Sequence, residues 1–458
     1  MARVKTGKKR VLRKLRGEFS ELVERAEGYH DKQMRDMLDQ GEELRFGWVP
    51  FEQRVAQVRS QVQQQGAAGY RKEAPTLRIW NDRPTKLIIE QEQSPGDLLM
   101  LTAAIRDLHA AYPGRFMTDV RTPCPQLWEN NPHITAIDDN DEDAQRFRAE
   151  YNLVHECNEA PYHFLFGFHD DLEIRLGIRV PPTKFKGDIH LSADERAWYS
   201  QVRELLGKDV PFWIIDAGRK NDFTAKMWDV AKMQQVVSSC PDILFVQIGA
   251  LDRLKCYHCG HEISCNGRTY EGSFKCPECG KGMARENVGH YHPPLDGDNV
   301  LNLVGKTDIR QLVRLVYHAA GVITPVSFPM HLAAAVPVKP CYHRAQRPCI
   351  VVAGGREPSQ WEAYTNHRFL HTCGMLPCCD NGGCWASRVY PLGDGDEKDT
   401  ENLCQHVVET PEGQRLPQCM DMIAAEDVVT AIRQYLAFYD YSSDDCDEWH
   451  VRDEPAGI

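Results

Sequence analysis

Four cysteines are spaced to grip one metal ion. Cys256-x-x-Cys259 and Cys276-x-x-Cys279 are two knuckles separated by sixteen residues, and Gly260 and Gly280 suit the tight turns that follow them. Each knuckle can put two thiolates on one tetrahedral ion, the spacing of a zinc ribbon. Four thiolates leave no open position, so the zinc expected here is structural and its contribution is to folding. Cys265 is left over. A second group is less regular: Cys379 or Cys378, with Cys384, Cys404 and Cys419, could form another four-thiolate site. Zinc and iron both accept four thiolates, so ligand type does not separate them; buried free cysteines are the other reading. A third feature is Gly96-Asp97, set between a strand-like run and a helix-like run. The glycine permits a sharp turn and a close approach to a ligand, and the carboxylate stands where a helix N-terminus favours negative charge. A simple helix cap would look the same locally. The acidic run 138–143, DDNDED, contains an Asp-x-Asp but reads as a solvated face, so no catalytic metal is expected.

The elements that must carry these groups alternate between strand and helix. TKLIIEQ (85–91) reads as a buried strand, and 94–113 as a turn and then a helix with Leu98, Leu101, Ile105 and Leu108 on its apolar face. Strands follow at 114–122, 133–138 and 151–156. A helix over 193–207 leads into a second alternating region: strands at 210–216 and 242–250, a helix between them at 227–240, then a helix running into a strand over 308–325, a helix from 331 and a strand at 348–355. Such alternation argues for parallel sheets with crossover helices, in two successive halves with ligand at the carboxyl ends of the strands. The expected division is a basic helical extension (1–72), a first Rossmann-like half (73–190), a second half (191–370) interrupted by the ribbon (254–284), and a cysteine-rich segment with a terminal helix and an acidic tail (371–458).

Composition narrows the class. The chain has 458 residues, 42% hydrophobic and 26% charged, with a net charge of −12. That is the profile of a folded globular protein and argues against a general nucleic-acid binder. Eight Lys or Arg fall within the first sixteen residues, which makes a local basic arm. No run reaches the ~18 apolar residues of a membrane span, and the basic start lacks the apolar stretch of a secretory signal. A cytoplasmic protein is expected. Seventeen cysteines in a reducing compartment read as metal ligands sooner than as disulfides.

Four segments, in order, resemble glycosyltransferase family nine, the ADP-heptose heptosyltransferases. SPGDLLMLTAAIRDLHAAYPG is similar to that family's N-terminal signature, and IIDAGRKNDFTAKMW to its small-residue loop with Lys-x-Trp. GVITPVSFPMHLAAAVPVKP is similar to its stretch with a His before an Ala-rich helix, and GGREPSQWEAY to its later Gly loop and Trp-x-x-Tyr. The resemblance covers about 85–370. It implies an α/β, GT-B-like architecture of two Rossmann-like domains facing a cleft, and transfer of a sugar from a nucleotide diphosphate with inversion. On it, Asp97 is the general base, and Gly96, Gly218, Lys226, Ser327, His331 and Arg356 lie toward the donor. The family's Asp-Thr-Gly is absent, since Val326, Ser327 and Phe328 stand in its place. Related autotransporter heptosyltransferases carry a four-cysteine iron finger in a comparable C-terminal position. The implied donor is ADP-heptose; the acceptor could be a glycan, a protein or a nucleic acid, and a homo-oligomer is compatible with the sequence. The competing class is a non-catalytic, zinc-containing adaptor on the same fold that binds nucleic acid or protein.

Overall fold

The computed structural model describes residues 77–438 apart from 81, 152–162, 219–225, 252, 257, 260, 265–274, 287–291, 343, 380–382, 385–403 and 405. The basic N-terminal extension, the expected strand at 151–156 apart from its first residue, Cys265 and the acidic tail therefore lie outside the described residues.

The first half is a three-stranded parallel sheet ordered β2-β1-β3. Strand β1 (Thr85–Glu90) is central, and its apolar residues Leu87, Ile88 and Ile89 are buried. Helix α1 (Pro95–Ala111) follows after four residues. Pro95 occupies its first turn, where no backbone donor is needed. Residues Leu98 to Leu108 of α1 are all buried, Arg106 and Asp107 among them. A helix enclosed on every side is a core element rather than an amphipathic cover. Strand β2 is Phe116–Arg121 and β3 is Ala144–Arg148.

Three expectations need correction here. Residues 133–138 form no strand; Ile134 makes only an isolated bridge to Thr118. Side chains of β2 take up the backbone groups instead: Thr118 Oγ1 donates to His133 O (2.6 Å), and Asp119 accepts from Ile137 N (2.8 Å). The strand that pairs with β1 is β3, directly after the acidic run. That run is not merely solvated: Asp139 pairs with Arg121 and Arg146, Asp141 with Lys86, and Asp143 with Arg83. The expected helix over 193–207 is two short ones, Ala193–Ala197 and Gln201–Leu206, with Ser192 and Ser200 each capping its own. Helix α2 (Phe166–Leu176), which packs on α1, and strand β12 (His367–His371) were not anticipated.

The second half is a six-stranded sheet ordered β12-β11-β10-β4-β5-β9, parallel throughout. Its strands are β4 (Phe212–Asp216), β5 (Leu244–Ile248), β9 (Val300–Asn302), β10 (Gly321–Pro325), β11 (Cys349–Gly354) and β12. Helices α3 (Val230–Ser238), α4 (Ile309–His318) and α5 (Phe328–Ala335) connect them. Every residue of β4, β10 and β11 is buried, as expected of parallel strands covered on both faces. Between β5 and β9 sits a small antiparallel sheet, β7-β6-β8 (Glu262–Ser264, Arg253–Lys255, Ala284–Glu286), which carries the first cysteine group. The terminal helix α6 (Ala425–Phe438) packs on α3 and β11. Residues 75–458 form one unit, and a single apolar core joins α1 and α2 to α5.

Candidate functional site

The site forms where the N-terminus of α1 meets loops of the second half. Ser94 precedes α1 in an extended conformation, and its hydroxyl donates to Asp97 Oδ2 at 2.6 Å. The serine thus binds the side chain of Asp97 rather than capping the helix backbone. Burial raises the Asp97 pKa; the Ser94 hydrogen bond and the Lys226 charge oppose the rise, and Glu357 adds to it. A carboxyl lifted from the bottom of its range is a better proton acceptor for a weakly acidic hydroxyl.

Gly96 has a steric reason to be glycine. A Cβ there would stand 3.1 Å from Cδ2 of His331, the fourth residue of α5. The close approach brings His331 against the turn that bears Asp97. His331 Nδ1 lies 2.7 Å from the Tyr364 hydroxyl, and Nε2 lies 3.5 Å from Glu362 Oε2. Burial lowers the His331 pKa to about 3, so the ring is neutral.

The loop after β11 supplies a charged group beside it. Glu357 Oε1 pairs with Lys226 Nζ at 2.9 Å and with Arg356 Nη1 at 3.1 Å, and both Arg356 and Glu357 are buried. Lys226 therefore comes to the same locality as Asp97 and Arg356. Glu357 and Glu362 add two acids to that locality, and Glu362 has the larger unanswered burial, which raises its pKa well above normal.

The carboxyl edge of β4 is a separate cluster. Asp216 accepts from Gly218 N (3.1 Å) and from the hydroxyls of Ser327 (3.3 Å) and Thr324 (3.5 Å). His292 lies over this edge, so that a Cβ on Gly218 or Gly249 would collide with its ring. Gly218 and Ser327 are thus joined through Asp216, at the strand ends where a ligand of an open α/β sheet binds.

The ribbon cysteines meet. All four sulfurs of Cys256, Cys259, Cys276 and Cys279 lie within 4.8 Å of one another, with Cys256–Cys279 at 3.4 Å and Cys259–Cys276 at 3.5 Å. Four sulfurs at ~2.3 Å from a central zinc would be ~3.8 Å apart, so the cage fits that ion. The knuckles are formed: Cys256 N donates to His261 O, Cys276 N to Lys281 O, and Gly280 takes a left-handed φ of 71°. The amides of Cys259 and His258 favour the Cys256 thiolate and bring it down to about 6. Among the described residues this is the one group of three or more candidate ligands with its atoms this close.

The C-terminal cysteines gather differently, against the loop that carries Arg356. Cys379 Sγ is 3.1 Å from where a Cβ of Gly355 would stand, Cys419 Sγ is 3.3 Å from that of Gly354, and Cys384 N donates to Gly355 O at 2.9 Å. Cys404 and Cys378 lie close enough to raise the Cys419 pKa, after burial, which pushes it up to about 11.

Sequence reasoning singled out Asp97, Lys226, His331 and Arg356 but not Glu362, Tyr364, Asp216 as an acceptor, or His292. Glu362 and Tyr364 stood in the Trp-x-x-Tyr stretch already noted. His292 follows a segment with no pattern, and nothing in the sequence marked it.

No curated protein matches the chain by sequence. Solved structures resemble it with low identity, among them three glycosyltransferases. The glycosyl transferase family 9 protein from Veillonella parvula is 12% identical, with 79% of this chain and 100% of that chain covered and a TM-score of 0.46. The ADP-heptose LPS heptosyltransferase II of E. coli is 14% identical, with 77% and 99% covered and a TM-score of 0.41. The iron-containing dodecameric glycosyltransferase TibC from enterotoxigenic E. coli is 15% identical, with 79% and 78% covered and a TM-score of 0.47. Among the described residues no helix is long and apolar enough to cross a membrane. Two helix-flanked parallel sheets in succession make the architecture α/β and GT-B-like. Residues 279–370, which hold His331, Arg356, Glu362 and Tyr364, match the family model "Glycosyltransferase family 9 (heptosyltransferase)".

Proposed function

We propose that this glycosyltransferase moves a heptose from ADP-heptose to an acceptor hydroxyl with inversion, and that Asp97 is the general base. The observation that carries the reading is the convergence of Asp97 from the first half with Lys226, His331 and Arg356 from the second. In the step proposed, the acceptor oxygen bonds to the anomeric carbon as its proton passes to the Asp97 carboxylate. The bond from that carbon to the diphosphate breaks, and the nucleoside diphosphate leaves with the electron pair. One displacement inverts the centre, so a single base suffices. Lys226 is the cation for the departing charge, and a bound diphosphate would compete with Glu357 for it. Gly218 and Ser327, at the strand ends around Asp216, line the donor side, where the ADP-heptose bound by TibC in a solved complex is the model ligand. The chain is divided as 1–72, 73–190, 191–370 and 371–458 on this reading, with the acceptor met by the first half, and it works in the cytoplasm.

Asp97→Asn tests the assignment. Turnover should fall by at least ~100-fold, the scale of general-base catalysis, while ADP still raises the melting temperature. Undiminished transfer would remove Asp97 as base. Mass analysis of products from a panel of sugar nucleotides identifies the donor. Lys226→Ala should weaken donor binding, read as a smaller ADP-induced thermal shift.

We infer that Cys256, Cys259, Cys276 and Cys279 hold a structural zinc, supported by the sulfur spacing above. Cys379, Cys384, Cys404 and Cys419 are retained as a second site for zinc or iron. Metal analysis should return at least one tightly held ion per chain, and a chelator should melt the 253–286 segment first; finding no ion would end both assignments.

A further inference from the structure

Glu362 has no role in the step just described, yet it is among the most enclosed acids in the molecule. Its side chain is 3% exposed, and no hydrogen-bond donor among the described residues reaches Oε2. His331 Nε2 lies 3.5 Å from Oε2. Neither an N–H to a carboxylate nor an acid O–H to the ring nitrogen is at its usual length of about 2.8 Å there, so what marks the acid is its enclosure without a donor to Oε2 among the described residues. The cations of the locality turn elsewhere: Lys226 and Arg356 both meet Glu357 Oε1.

Two proton arrangements fit the contacts around His331. The Tyr364 hydroxyl lies 3.6 Å from Met100 Sδ and 2.7 Å from His331 Nδ1. With its one hydrogen on Met100, His331 Nδ1 carries the ring proton and donates to Tyr364; with that hydrogen on Nδ1, the ring proton sits on Nε2. A neutral imidazole with Nδ1–H has a bare Nε2. A bare nitrogen facing an ionised carboxylate would be repulsive, whereas a carboxylic acid can donate to it.

We propose that Glu362 is a protonated, positioning acid that donates to His331 Nε2 and so fixes a directed chain, Glu362 to His331 to Tyr364 to Met100, which fastens the second half to the helix bearing Asp97. Met100 lies one turn along α1 from Asp97, and His331 touches Gly96, so the chain grips α1 at two points beside the base. If Glu362 ionises, the chain reverses. Nε2–H then donates to the carboxylate, the Tyr364 hydrogen turns to Nδ1, and the bond to Met100 is lost. Enclosure favours the neutral acid, and the neighbours divide: Glu357 and Asp97 also favour it, while Lys226 and Arg356 oppose it. His331 and Tyr364 are uncharged partners here, and His163, whose Nε2 lies 3.2 Å from Ala363 O, is held neutral by burial at about 4.

This inference rests on Asp97 serving transfer, but its test does not. In full-length protein labelled with 15N-histidine, His331 is assigned by loss of its signals in H331Q. The Nδ1–H tautomer is expected at neutral pH, both in the parent and in E362Q, whose amide can donate to Nε2. Only the parent should convert on alkalinisation. A parent His331 carrying its proton on Nε2 at neutral pH overturns the proposal. In kinetics, E362L should lose kcat by about a hundredfold, the effect of a slightly misplaced catalytic group, with little change in donor KM. E362Q should recover most of that loss and lack the parent's alkaline limb; an E362Q as slow as E362L, or with the same limb, also overturns it. Should E362L fail to fold, the E362Q tautomer and pH profile decide. Asp97→Asn would abolish turnover and leave the His331 signature unchanged, so failure of the base assignment is told apart from failure of this one.

Discussion

The middle and the mouth of α1 each bury an acid beside a histidine, and the two pairs are built in opposite ways. Asp107, in the middle, is fully enclosed and fully served. Arg106 Nε and Nη2 donate to its two oxygens at 2.9 and 3.0 Å, the Thr183 hydroxyl donates to Oδ1, and His169 Nε2 lies 2.8 Å from Oδ2. Burial pushes its pKa up, but the hydrogen bonds of His169, Arg106 and Thr183 outweigh that and hold it at about 2. Glu362, at the mouth, is as enclosed and has almost none of this, so burial and its acidic neighbours raise its pKa instead. The number of donors supplied to a buried carboxyl decides whether it is an ion or an acid. The ion makes a permanent fastening: Arg106 also donates to Lys184 O and Lys186 O, which ties the chain between the halves to α1. The acid sits next to the reacting groups, where a reversible contact is of use.

Removing the ion should have the largest effect on stability. Asp107→Ala leaves Arg106 buried with Asp188, at 3.9 Å, as its remaining counter-charge, and breaking a buried pair costs about 3–5 kcal/mol. Denaturant unfolding measures it; a loss under about 1 kcal/mol would erase the contrast with Glu362. Both the sign and the pH range of the linkage differ between the two sites. The depressed Asp107 contributes stability above its ordinary value of 3.8, and that contribution is lost as pH falls toward about 2. The raised Glu362 contributes most below its ordinary value of 4.5, and its contribution declines as pH rises above it. Relative to the parent, Asp107→Asn should therefore flatten the acid side of a melting-temperature profile and E362Q the neutral-to-alkaline side. Finding both variants flattened on the same side would break the comparison.

Much of this arrangement was legible in the sequence, and the reason differs by residue. Fully apolar strands such as Cys349–Gly354 and the Gly-Asp at the start of α1 announce themselves, because burial on two faces and a tight turn each demand particular residue types. The four ribbon cysteines are legible because metal geometry fixes their spacing. Strand β3 is not: AQRFR is polar, and it joins the sheet because Arg146 pairs with Glu90 and Asp139 across it. Helix α2 hides because His169, Asp171 and Arg175 face inward, each satisfied by a partner distant in sequence or one turn away. Glu362 is of the same kind. An acid in a sequence reads as surface, and only the coordinates show it shut beside a histidine with no donor to its Oε2 among the described residues.

The smallest expected effect separates the third carboxyl of this region from the other two. Asp97 lies between the extremes: one hydroxyl donor, Ser94, holds it at 2.6 Å, and its pKa is raised by burial less the help of Ser94 and Lys226. Ser94→Ala removes that donor without touching the helix backbone, because Ser94 makes no side-chain cap to it. If donor supply sets the state of each buried acid, the Asp97 pKa must rise further in this variant. A general base acts in its ionised form, so the acid limb of kcat/KM should move to higher pH while the plateau changes little. A limb that stays in place would mean that Ser94 does not tune Asp97. One that moves to lower pH would mean that the hydroxyl accepts from a protonated Asp97, and the order of the three carboxyls would have to be redrawn.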